Sequence, residues 1–141
     1  MAARATRTAS SCDDGSERCL LLALSHDELG VIVDGLADPL QPVVAVALSS
    51  TCLGLRTPLR AALEVLKERH ERAKALCSKM GTSCVALHLA DEILWYDKDL
   101  TADDMATLGM ILRTNGPPWL KAIYLDDNGF GDAGVRELCE N

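Results

Sequence analysis

Residues 120–140, LKAIYLDDNGFGDAGVRELCE, constrain the fold more than any other stretch of the chain. Ile123 and Leu125 alternate, which sends both side chains to one face of a short strand. Asn128 follows where the chain must turn, and a side-chain amide there can bond backbone groups left unpaired as a strand ends. Phe130 is placed to plug the turn. Asp132 can cap a helix that carries Val135 and Leu138 inward. The minimum reading is a strand–turn–helix of an α/β domain. A repeat reading requires a second copy of the pattern. Val85, Leu87 and Leu89 alternate as Ile123 and Leu125 do, and Leu100 and Leu108 are spaced as Phe130 and Leu138 are. Aligning Leu87 with Ile123 and Leu89 with Leu125 leaves six extra positions before Leu100, read as an insertion, EILWYDKD. In that alignment Glu92 stands where Asn128 predicts Asn, and Asp104 where Gly134 predicts Gly. The following helix is well signalled. Thr101 and Asp104 imitate a capping box, Met105, Leu108, Ile111 and Leu112 form an apolar stripe, and Asn115, Gly116, Pro117 and Pro118 stop it.

In spaced form the 120–138 pattern is L-x-x-I-x-L-x-x-N-x-F-x-x-x-G-x-x-x-L. It resembles a leucine-rich repeat of the ribonuclease-inhibitor kind. The resemblance implies parallel strands side by side, an Asn stacked with its equivalents at each turn, and a curved surface made of outward strand residues. On the alignment above that surface holds Ala86, His88 and Ala90 beside Ala122, Tyr124 and Asp126. Its partner-binding residues are then His88, Tyr124 and Asp126. Tyr124 offers a rigid amphipathic contact, and the acids imply a basic patch on the partner. Trp95 and Tyr96 read either as a plug over the core edge or as an exposed anchor. Residues 82–141 hold about two repeats, fewer than the ~3 an array normally needs. The strand over 120–125 is therefore expected to have an open edge, with cover supplied by a longer parent chain, by the helical block or by a partner.

Upstream, residues 19–56 read as short packed helices. Ser25 and Glu28 make a capping box, Leu24 can staple onto Leu29, and Leu29, Ile32, Val33 and Leu36 share one face. Asp38 and Pro39 break that helix, and Pro42 starts another. The order LSHDEL, IVDGL, DPLQPVVAV, LSSTCLGLR resembles an F-box. Ser25 stands where that family has Pro, and Leu55 at its usual terminal Trp position. The resemblance implies docking on the Skp-type adaptor of a cullin ubiquitin ligase through Leu24, Leu29, Ile32, Leu36 and Leu53. The plainer alternative is a helical cap on the repeats.

Residues 57–81 read as one long connecting helix, with Thr57 as N-cap, Pro58 at the first position and Gly81 at the stop. Leu59, Leu63, Leu66, His70, Ala73, Cys77 and Met80 alternate four and three apart, a seam that suits packing on the rest of the chain. Residues 1–18 read as a disordered tail. Their first twelve residues carry basic and no acidic side chains, which leaves a targeting role open.

The net charge of −7 disfavours nucleic acid and anionic membrane surfaces. The charge is uneven, with four basic and eleven acidic residues in 82–141. No apolar run approaches the ~20 residues of a membrane span. Six cysteines scattered among apolar neighbours read as reduced thiols of a cytoplasmic or nuclear protein. Cys77, Cys84 and His88 have poor metal-ligand spacing. GFGDAG at 129–134 follows the repeat turn and reads as part of it rather than as a phosphate loop. No cofactor is implied. The expected class is a helix-rich α/β protein with a small parallel sheet, acting as a non-catalytic protein-interaction module. Three versions stand: an F-box and leucine-rich-repeat adaptor; a regulatory repeat fragment of a GTPase-activating or immune-receptor kind; and a cysteine or metal enzyme.

Overall fold

The computed structural model describes residues 20–51 and 53–140. A 3-10 turn at Leu20–Ala23 leads into α1 (His26–Leu36), α2 (Val43–Thr51) and the long α3 (Leu53–Lys79). A short helix α4 (Cys84–His88) precedes strand β1 (Glu92–Leu94), helix α5 (Ala102–Arg113), strand β2 (Ala122–Tyr124) and helix α6 (Gly131–Glu140). The tail read at 1–18 lies outside the described residues. The protein is helix-rich with a small parallel sheet of two strands among the described residues, in which Ile93 pairs with Ile123 and Leu94 with Tyr124.

The helix starts follow their caps. Glu28 Oε2 accepts the Ser25 N–H at 2.7 Å while Ser25 Oγ accepts the Glu28 N–H at 3.3 Å. Leu24 packs against the cluster that holds Leu29, in keeping with the staple. Thr101 and Asp104 exchange the same pair of bonds at the start of α5. At the end of α3, Gly81 adopts φ +70° and the Thr82 N–H reaches back to the Cys77 carbonyl at 2.9 Å, closing the helix with a left-handed residue.

Helix α3 starts earlier than Pro58 suggests. It begins at Leu53 and carries Pro58 inside. An interior proline forfeits a backbone bond, at a cost of roughly 3 kcal/mol. The compensation is visible in Leu55 and Leu59, one turn apart and both essentially fully buried. They join Leu29 and Val33 in a small core that closes the N-terminal block. Further along, Ala73, Leu76, Cys77 and Met80 of the same helix enter the main core with Leu87, Ile93, Trp95, Leu100, Met105, Leu108 and Ile111. The heptad seam is thus spent inside the chain, and α3 is the beam on which both halves rest. At 27 residues it is about 40 Å long. His70 lies between the two cores, its Nδ1 donating to the Pro39 carbonyl at 2.7 Å.

The strand–turn–helix unit before residue 120 does not fall where its alternating aliphatics suggest. Val85, Leu87 and His88 lie on helix α4, with Ser83 as its N-cap, and Leu89 is that helix's C-cap. The strand is Glu92–Leu94, inside the segment read as an insertion. No insertion is needed. Strand register places Ile93 opposite Ile123, thirty positions apart, and the same offset matches Trp95 with Leu125, Leu100 with Phe130, Asp104 with Gly134 and Leu108 with Leu138. The physical reason for the shift lies in size and shape. β1 needs large residues on its inner face, and Ile93 and Trp95 bury 98% and 94% of their surface there. Val85 and Leu89 are left more than half exposed.

Candidate binding face

Strand alternation divides the sheet into two faces. Ile93, Trp95, Ile123 and Leu125 point to the core, and Glu92, Leu94 and Tyr96 lie outward beside Ala122, Tyr124 and Asp126. Leu94 is 53% exposed, Tyr96 57% and Tyr124 43%. An apolar and aromatic patch therefore stands in solvent, with Glu92 at one end and Asp126 at the other. The aromatic pair at 95 and 96 splits its roles. Trp95 is the plug and Tyr96 is displayed.

The turns beyond the strands are held by one side chain. Asn128 Oδ1 accepts the N–H groups of Lys98 and Leu100, at 3.0 and 3.1 Å. Its Nδ2 donates to the carbonyls of Trp95 at 2.6 Å, Leu125 at 2.8 Å and Asp126 at 3.2 Å. One amide thus satisfies backbone groups of both units and fixes their spacing. Around this joint stand Asp97, Asp99, Asp126 and Asp127, all exposed. Lys98 lies in the turn, Lys79 Nζ donates to the Asp99 carbonyl at 3.1 Å, and Lys121 Nζ sits 3.7 Å from Asp91 Oδ2.

The outer edge of β2 is unpaired among the described residues. The Tyr124 and Asp126 carbonyls accept from the Trp95 and Asp97 N–H groups at 2.9 and 3.1 Å, so these residues turn their backbone groups toward β1. By alternation Ile123 turns its own toward the other side. Val135 of α6, expected to point inward, is 51% exposed, whereas Met105 at the same place in the first unit is 1% exposed. α6 covers α5, and among the described residues nothing covers α6 in turn. The approach of those two helices is close because Gly109 has no side chain. A Cβ there would stand 2.8 Å from the Leu138 carbonyl oxygen.

The expected site residues separate on the structure. Tyr124 and Asp126 share the outward face, as expected. His88 does not. It sits on α4 between the N-terminal block and the strand–turn–helix units, with Nδ1 3.0 Å from Asp38 Oδ2 but without the alignment of a hydrogen bond. Glu92, Leu94 and Tyr96 take the place assigned to Ala86, His88 and Ala90. The full thirty-residue match, rather than the aliphatic rhythm of 85–89, was the signal that locates them. In the N-terminal block Leu29 is buried in the small core, Leu24 and Ile32 are half-buried, and Leu36 is 36% exposed. The Leu53 side chain lies outside the described residues. The exposed large apolar residues of the block are Leu36, at the margin, and Val31 of α1 with Val43, Val44 and Val46 of α2.

The groups with chemical potential are dispersed. Among the described residues no three His, Cys, Asp or Glu side chains gather as metal ligands. Cys77 and Cys84 line one cavity of about 330 Å³ with His70 and Lys74. Burial pushes the Cys77 thiol up to about 12, and the adjacent Cys84 adds to the rise. Cys77 therefore carries almost no thiolate at neutral pH, the form a nucleophile or ligand needs. Among the described residues no helix is long and apolar enough to cross a membrane. Compared with models of protein families, with curated proteins and with solved structures, the chain matches none.

Proposed function

We propose that the chain is a leucine-rich-repeat unit of two repeats carried on a helical block, and that it binds another protein through the outward face of its sheet. The observation that carries this reading is the patch of Leu94, Tyr96 and Tyr124, exposed on and just beyond two strands that pack on the core and that Asn128 ties together. Aromatic side chains of this kind bury much area on binding at little entropic cost. A rigid strand scaffold lowers that cost further, because no loop must be ordered. The thirty-residue offset and the amide bridge at Asn128 support the repeat assignment. A regulatory scaffold fragment would use the same face. The proposed compartment is cytoplasmic or nuclear.

A second reading rests on a separate observation. Val31, Val43, Val44 and Val46 expose an apolar surface on the N-terminal block. These residues would dock a Skp-type adaptor if the F-box resemblance holds. Leu29 cannot test that docking, because its removal opens the small core.

Affinity capture with three forms of the protein separates the two. The wild type is compared with a sheet-face variant, Tyr96→Ser with Tyr124→Ser, and a block variant, Val43→Ser with Val46→Ser. The expected outcome is a partner whose recovery falls at least ten-fold with the sheet-face variant and persists with the block variant. Recovery lost with the block variant alone, with purified Skp-type adaptor binding the wild type and not that variant, favours the adaptor reading. A partner indifferent to the sheet-face change sinks the first reading.

A further inference from the structure

Resting on the sheet-face reading, we infer that the partner presents an extended cationic segment, in which lysine or arginine alternates with an apolar residue, and that this segment pairs along the outer edge of β2. Three observations converge on it. The first is the edge itself. Ile123 directs its N–H and C=O away from β1, and an unpaired strand edge is a template for another strand. The second is what stands beside that edge. A strand added there would set alternate side chains next to Ala122, Tyr124 and Asp126, within reach of cross-strand contact. An apolar residue over Tyr124 continues the patch that Leu94 begins, and a cation one pleat further meets Asp126 and the ring faces.

The third is charge. Asp97, Asp99, Asp126 and Asp127 crowd one end of the sheet, where Lys98 and the Lys79 ammonium, 3.1 Å from the Asp99 carbonyl, stand beside them, and Glu92 and Asp91 face Lys121 at the opposite end, so carboxylates outnumber cations. A strand carrying acids at the same alternate positions would meet like charge directly opposite, which is destabilising. A neutral apolar strand would pair with the edge but leave the acids without a partner. The cationic strand satisfies backbone, aromatic and carboxylate groups together. Screening over roughly 8 Å at physiological salt leaves these short-range contacts in place while trimming the long-range steering.

The test uses two labelled peptides with the full chain, one alternating lysine and valine over seven residues and one alternating glutamate and valine, titrated by fluorescence anisotropy. The lysine peptide is expected to bind at least ten-fold more tightly. Tyr124→Ala and Asp126→Lys should each weaken it three-fold or more, and Val65→Ser, at an exposed position of α3, should leave it unchanged. Methylation of alternate backbone nitrogens in the lysine peptide should weaken binding on one of its two edges and not on the other. Thermal melts check that the variants stay folded. Equal binding of both peptides, no binding of either, or lysine-peptide binding that ignores Tyr124 and Asp126 overturns the inference. If a captured partner depends on Tyr124 while the peptides fail, the cationic strand is wrong and the sheet-face reading stands. If neither depends on Tyr124, both fall.

Discussion

The two strand–turn–helix units follow one thirty-residue pattern yet differ at nearly every inner position. Ile93, Trp95, Leu100, Met105 and Leu108 are buried in the first, while Ile123, Leu125, Phe130 and Leu138 are half-buried and Val135 is exposed in the second. The residue types are similar, so the difference is one of neighbours. The first unit has α3 on one flank and the second unit on the other. The second has the first on one flank and solvent on the other, among the described residues. Burial in such a unit belongs to the stack rather than to the unit, as nearest-neighbour stability requires.

The sharpest way to break this comparison is to remove the same side chain from each unit. Ile93→Ala deletes a residue 2% exposed at the centre of the main core. It should cost about 3–4 kcal/mol, in the range for deeply buried aliphatics. Ile123→Ala should cost about half as much, because its site is already partly hydrated. Urea denaturation of both variants checks the ratio. Equal losses would mean that the second unit is as well covered as the first.

Asn128 offers a smaller but more directional test. Its amide serves the backbones of both turns, whereas the equivalent position of the first unit is Lys98, exposed in the turn. Asn128→Ala leaves two N–H groups and the Trp95, Leu125 and Asp126 carbonyls without this partner, and each buried group so stranded costs about 1–3 kcal/mol, less where water reaches it. A net loss of about 2 kcal/mol is expected, with faster amide exchange at Lys98 and Leu100. Lys98→Ala should stay within about 0.5 kcal/mol, as surface changes do. A loss at Lys98 equal to that at Asn128 would remove the asymmetry between the turns.

The second unit was legible in the chain because its signals agree. The strand alternation, Asn128 at the turn, Gly134 one helical turn beyond Phe130, and Leu138 all point to one geometry. Gly134 is needed because a Cβ there would stand 2.5 Å from the Cβ of Phe130. The first unit hid itself because its signals disagree. Val85, Leu87 and Leu89 mimic a strand, but Ser83 caps a helix through them, and short apolar runs do not distinguish the two. The true strand carries Glu92, Trp95 and Tyr96 and looks like a loop by composition. On the binding face, Tyr124 and Asp126 could be read directly, while Leu94 and Tyr96 became legible only once β1 had been placed. The small core of the N-terminal block was legible as periodicity. That Leu29 faces that core, rather than a partner, depends on Leu55 and Leu59, which belong to a helix start the sequence placed too late.

The capping acids give the smallest contrast and the one that responds to pH. Asp104 is the N3 acid of the capping box at the start of α5 in the first unit, and Gly134 holds the matching place in the second. Burial pushes the Asp104 carboxyl up, but bonds from Lys79 and from the Thr101 N–H and hydroxyl outweigh it and hold the group below its ordinary value near 3.8. A carboxyl depressed by folding contributes stability that is full above the unfolded value and is lost as pH falls through the folded one. Asp104→Asn should therefore cost up to about 1 kcal/mol at pH 7, the usual worth of a carboxylate in the first turn of a helix. The melting temperatures of wild type and variant should converge as pH drops below about 4. Lys79→Met should remove part of the same pH dependence, since Lys79 bonds both Asp104 and the Asp99 carbonyl. A gap between wild type and Asp104→Asn that persists unchanged to pH 2 would mean that the capping box acts through shape rather than charge.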